Sequence, residues 1–173
     1  MIRFWNFVKL ERIARVTVAD RILEMLSLML VICMVVLSIL FYQYAPEQIP
    51  IHFNAAGVAD GWGGKGEFFF VMFMGILVIG LCNYAAYNHK LVNLPIRLKP
   101  ECLPQQLTLL GRMMRILALV LGMLFLTILC SMAAPQLGIR TEDWSFVPLI
   151  WLLAMLVLLI VYSVKIWKVG RDF

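Results

Sequence analysis

Four uncharged stretches, each close to the roughly 20 apolar residues that a helix needs to cross a bilayer, restrict this chain more than any other feature. They run about from Met25 to Tyr44, Phe68 to Tyr87, Ile116 to Ala134 and Phe146 to Val164. Backbone groups in lipid must be satisfied within each segment, so these stretches are expected to be helices. The strict apolar–polar alternation of a barrel strand occurs in none of them. The whole composition follows: 63% of the 173 residues are hydrophobic and 14% are charged. A water-soluble domain is nearer half apolar and a quarter charged. The expected fold is an all-α integral membrane protein, a four-helix bundle.

Charge placement sets the expected orientation. Arg3, Lys9, Arg12, Arg15 and Arg21 precede the first stretch. Lys90, Arg97, Lys99, Arg112 and Arg115 lie between the second and third, and Lys165, Lys168 and Arg171 follow the fourth. The first connection has only Lys65 and the third only Arg140. The positive-inside rule then places both termini and the middle connection in the cytoplasm, and the first connection outside. The net charge of +5 is accounted for by topology and anionic headgroups, without a nucleic-acid partner. The first stretch reads as a retained anchor, because no small-residue cleavage pattern follows it. Residues 1–21 are expected to be a cytoplasmic or interfacial amphipathic leader. Residues 22–173 then form a single membrane domain. Cys33, Cys82, Cys102 and Cys130 have no metal-type spacing and read as free thiols.

No span carries an ionisable residue near its centre, which disfavours ion-coupled transport. Ser27, Ser38, Asn83, Thr127 and Ser131 are expected to form interhelical hydrogen bonds. Ala118 and Gly122 form a small-xxx-small pair that allows close helix approach.

The chemically varied segment is Pro46 to Lys65, PEQIPIHFNAAGVADGWGGK. Pro46 and Pro50 favour extended chain. In the following strand, Ile51 and Phe53 should share one face, and His52 and Asn54 the other. Ala55-Ala56-Gly57 can turn the chain, and Val58 to Trp62 can return as a second strand, giving a short extracytoplasmic hairpin. Three chemistries are open to it. His52 and Asp60 are too few ligands for a closed zinc site. They could form an acid–base pair, the carboxylate fixing the imidazole tautomer, yet the loop has no Ser or Cys nucleophile. Recognition is the third, with His52, Asn54, Asp60 and Lys65 as ligand-binding residues and Gly57 shaping the turn. The purely structural alternative pairs Asp60 with Lys65 and has His52 and Asn54 hydrogen-bond the turn. The Gly61-Trp62-Gly63-Gly64-Lys65 run lacks the spacing of a phosphate-binding loop.

Ile49-Pro50-Ile51-His52-Phe53-Asn54, Gly57, Asp60-Gly61-Trp62-Gly63 and Lys65 resemble the signature of a membrane family named for a domain of unknown function, DUF1648. Asn93 to Glu101, with Gln105 and Gln106, also resembles the segment after the second helix in short members. The same domain forms the N-terminal part of SdpI-type immunity proteins, which carry a further membrane domain. Gly138-Ile139-Arg140-Thr141 and Trp144 show a short likeness to that second domain. The resemblance implies a non-enzymatic bacterial inner-membrane protein without cofactor or metal, whose outward loop serves toxin-peptide immunity or envelope sensing. A small transporter or permeation subunit and a purely structural membrane protein are the alternatives. Implied partners are the bilayer, an extracytoplasmic peptide and a second copy of the chain.

Overall fold

A computed structural model describes residues 16–93 and 98–171. The order is helix α1 (Val18–Tyr44), strands β1 (Gln48–Phe53) and β2 (Ala59–Gly64), then helices α2 (Glu67–Tyr87), α3 (Leu103–Ala133) and α4 (Val147–Arg171). All four helices are long and apolar enough to cross a membrane. The expected hairpin lies between α1 and α2, its strands antiparallel. The leader falls largely outside the described residues, and α1 begins at Val18, inside its expected limit.

Thr17 starts α1 through a capping box. Its Oγ1 accepts from the Asp20 backbone N–H, and the Asp20 carboxylate accepts from the Thr17 N–H at 2.8 Å. Helix α3 is central and packs against each of the other three helices. Ala118 is fully buried. A Cβ on Gly122 would sit 3.0 Å from Ile79 Cδ1 and 3.1 Å from Leu30 Cδ1. The small-residue pair therefore marks where α1 and α2 close on α3. Helix α4 packs mainly on α3, and only 6% of its most apolar window is buried. Water would oppose so much bare Leu, Ile and Val, whereas lipid accepts it.

The span polar residues divide in a way the sequence reading did not anticipate. Ser38 Oγ donates to the Phe68 carbonyl and Trp151 Nε1 donates to Thr127 Oγ1, joining α1 to α2 and α4 to α3. Ser27, Asn83 and Ser131 instead donate to carbonyls four residues earlier in their own helices. A hydroxyl or amide with no partner in reach on a neighbouring helix satisfies itself on its own turn, even where it is buried, as Ser27 is.

Arg112 and Arg115, counted above among the charges between the second and third stretches, gain partners that the sequence did not indicate. Both lie within α3 and pair with α1. Arg112 Nε donates to Asp20 Oδ1 at 3.0 Å, and Arg115 Nε to Glu24 Oε1 at 2.7 Å. Glu24 also accepts from Arg21 and the Tyr87 hydroxyl. The Arg115 guanidinium lies 4.8 Å from the Tyr87 ring centroid. Asp20 is 1% exposed and the Arg115 side chain 4%. Asp20 and Glu24 stand four apart on α1, and Arg112 and Arg115 three apart on α3, so each pair shares a helix face.

Candidate functional site

The hairpin is anchored at its root. Ile49 on β1 is fully buried with Phe68, Leu129, Met132 and Ala133. The Phe68 ring lies 5.6 Å from that of Phe41. Apolar residues of β1, α1, α2 and α3 thus join the strand pair to the helix ends.

Register explains the upper face. Gln48, Ile49 and Pro50 pair with Gly64, Gly63 and Trp62, but the next pair is His52 with Gly61 and the last Phe53 with Ala59. Ile51 on one strand and Asp60 on the other are therefore skipped, one bulge on each. A Cβ on Gly61 would approach His52 Cβ at 2.8 Å, so the bare glycine makes room for the histidine. The extra residue at 60 brings the Asp60 carboxylate onto His52 Nδ1, forming a side-chain hydrogen bond. The pair faces solvent, the His52 side chain 71% exposed and that of Asp60 45%.

Asn54 closes the turn. Its Oδ1 accepts from the N–H of Ala56 at 2.9 Å and of Val58 at 3.1 Å. Its carbonyl accepts from the Gly57 N–H at 2.9 Å. Asn54 was expected on the His52 face. The strand ends at Phe53, so the alternation lapses and Asn54 instead borders a cavity together with Ile51 and Phe53.

Gly57 locks the tip to the α3–α4 connection. Its φ is +79°, the left-handed region that suits glycine. A Cβ there would lie 2.5 Å from Ser145 Cβ and 3.0 Å from Glu142 Cα. Thr141 Oγ1 donates to the Gly57 carbonyl across 84 residues of sequence, at 2.8 Å and buried. Replacing Thr141 by valine keeps the shape but orphans that carbonyl, at a cost of about 1–3 kcal/mol. Faster protease cleavage at the hairpin tip reads out the loss, and an unaltered rate contradicts the lock.

Lys65 does not reach Asp60, as the structural alternative supposed. Its Nζ donates to Glu47 Oε1 at 2.8 Å and stands 5.0 Å from the Tyr42 ring centroid. The Glu47 hydrogen bond raises the Lys65 pKa above its ordinary value. Of the five candidate residues, the structure thus brings His52 and Asp60 together on the open face. Asn54 and Gly57 lie in the turn, and Lys65 lies at the root.

Beneath β1 is a partly open cavity of about 200 Å³. Ile51 and Phe53 roof it, Ile128 and Met132 of α3 and Pro148 of α4 wall it, and Thr141 and Ser145 border it. The sequence reading missed this space, because it is shared among four segments remote in sequence. The likeness of Gly138–Thr141 to a motif was the available signal that the α3–α4 connection takes part. Among the described residues no group of three or more His, Cys, Asp or Glu could hold a metal ion.

No curated protein and no solved structure matches the chain. The family model for DUF1648, a domain of unknown function, matches residues 29–76, from the middle of α1 through the hairpin into α2, and so takes in all five candidate residues of a helix-bundle membrane protein.

Proposed function

We propose that the chain is a non-enzymatic recognition protein of a bacterial inner membrane, with both termini cytoplasmic and the hairpin outside. The hairpin would take part in immunity to a membrane-active peptide or in sensing one. The observation that supports this most is the combination of a doubly anchored hairpin with an exposed His52–Asp60 pair. An exposed side-chain pair of this kind adds at most about 1 kcal/mol to stability, so stability gives little reason to place it there. A fixed donor–acceptor pair on a rigid support does suit recognition, because little ordering entropy remains to be lost on binding. The arginine–carboxylate network at the other end of the bundle also suits a cytoplasmic assignment for that end.

On this reading His52 and Asp60 contact the ligand, whereas Asn54, Gly57 and Lys65 preserve the shape that presents them. Cells expressing His52→Ala or Asp60→Ala at wild-type protein level should lose about tenfold in protection against a membrane-active peptide, equivalent to about 1.4 kcal/mol of binding. Unchanged protection at equal abundance counts against the proposal.

A further inference from the structure

We infer that the ligand of the hairpin is a cationic peptide that seats one large apolar side chain in the cavity under β1. The inference rests on the recognition reading above and adds the chemistry of the partner. Two observations carry it, one of shape and one of charge.

The cavity of about 200 Å³ has the volume of roughly seven waters at ~30 Å³ each. That is below the range of roughly 300–1,000 Å³ typical of pockets that enclose a whole small molecule. It is ample for a single side chain. Ile51, Phe53, Ile128, Met132 and Pro148 give it apolar walls, Ser131 adds one hydroxyl on the α3 side, and Asn54, Thr141 and Ser145 supply polar atoms at the border. An apolar anchor whose attached backbone meets polar groups is the arrangement of a peptide residue. A lipid chain has no such backbone to match the border.

Charge supplies the second part. The segments joining the helices at the hairpin end, with the first residue of α2, hold Glu47, Asp60, Glu67, Glu142 and Asp143 against Lys65 and Arg140. Five carboxylates and two cations leave a formal net charge of −3. Both cations are engaged, Lys65 with Glu47 and Arg140 with Glu142 at 3.8 Å. This end of an otherwise basic protein therefore favours a cationic partner and repels an acidic one.

The test uses the full chain in phosphatidylcholine nanodiscs, with empty nanodiscs as the blank. The probes are a lysine-rich peptide bearing one tryptophan, its Trp-to-Ala analogue, and a version with every lysine replaced by glutamate. Binding is read by fluorescence anisotropy. The tryptophan peptide should bind at least tenfold more tightly than the alanine analogue, in line with burial of one large side chain. The acidic version should bind more weakly than either. Ser131→Leu fills the cavity from α3, where the lost hydroxyl bonded only to its own helix. It should abolish the difference between the tryptophan and alanine peptides, while Ser131→Ala preserves it. Equal affinity for the cationic and acidic probes overturns the inference, as does an undiminished tryptophan preference in Ser131→Leu. If binding still falls in His52→Ala, the recognition reading survives that failure. If His52→Ala and Asp60→Ala bind every probe as the wild type does, the recognition reading falls too. Binding equal to the empty-nanodisc blank also overturns the inference.

Discussion

Gly57→Ala is expected to release the hairpin tip from the α3–α4 connection. Two penalties combine at this position. Holding an alanine at φ +79° costs about 1–2 kcal/mol. Forcing its methyl to within 2.5 Å of Ser145 Cβ costs a further 1–3 kcal/mol, roughly, as an overpacking strain. Backbone lines the other side, at Glu142 Cα and the Thr141 carbonyl, so no flexible side chain can swing away. Relief comes by undocking, which also breaks the Thr141–Gly57 hydrogen bond. The total, about 2–5 kcal/mol, exceeds what one hydrogen bond and a small apolar contact supply. Hydrogen exchange of the Asn54–Val58 turn should rise, with α1 to α4 unchanged. Wild-type protection of that turn in Gly57→Ala would contradict the geometry.

The second large effect belongs to the other end of the bundle. Glu24→Ala removes the carboxylate that Arg115 Nε contacts at 2.7 Å, leaving a guanidinium that is 4% exposed without its counter-charge. Breaking one side of a buried ion pair costs about 3–5 kcal/mol, because the remaining charge keeps its desolvation penalty. Reversible unfolding in detergent micelles measures it. Replacing Glu24 and Arg115 together by methionine should recover much of the loss, since both desolvation penalties then disappear. A single substitution that costs under 1 kcal/mol would show the pair to be solvated.

The contrast between these two positions shows what sequence alone can carry. Span number and approximate limits were legible, because lipid imposes one simple requirement over some 20 residues. The hairpin was legible from Pro50, Gly57 and the glycines around Trp62, which act locally on the backbone. The partners of Arg112 and Arg115 were not, since nothing local states that α3 meets α1 at that height. Their three- and four-residue spacings with Asp20 and Glu24 were the visible hint. Of the candidate site, the pairing of His52 with Asp60 was anticipated as a chemical option. Its actual form depends on two bulges, at Ile51 and Asp60, which no composition rule announces. The role of Thr141, reaching back to Gly57, is a long-range contact of the kind sequence patterns do not encode.

Pulsed electron–electron spin resonance on the chain in nanodiscs tests the fixed hairpin most directly. Spin labels at Trp62 and Leu137, both exposed, would sit in a background where the four native cysteines are serine. One narrow distance distribution, broadened by Gly57→Ala, is the result expected of a strand pair pinned at root and tip. A distribution already broad in the unsubstituted chain, and indifferent to Gly57, would contradict it.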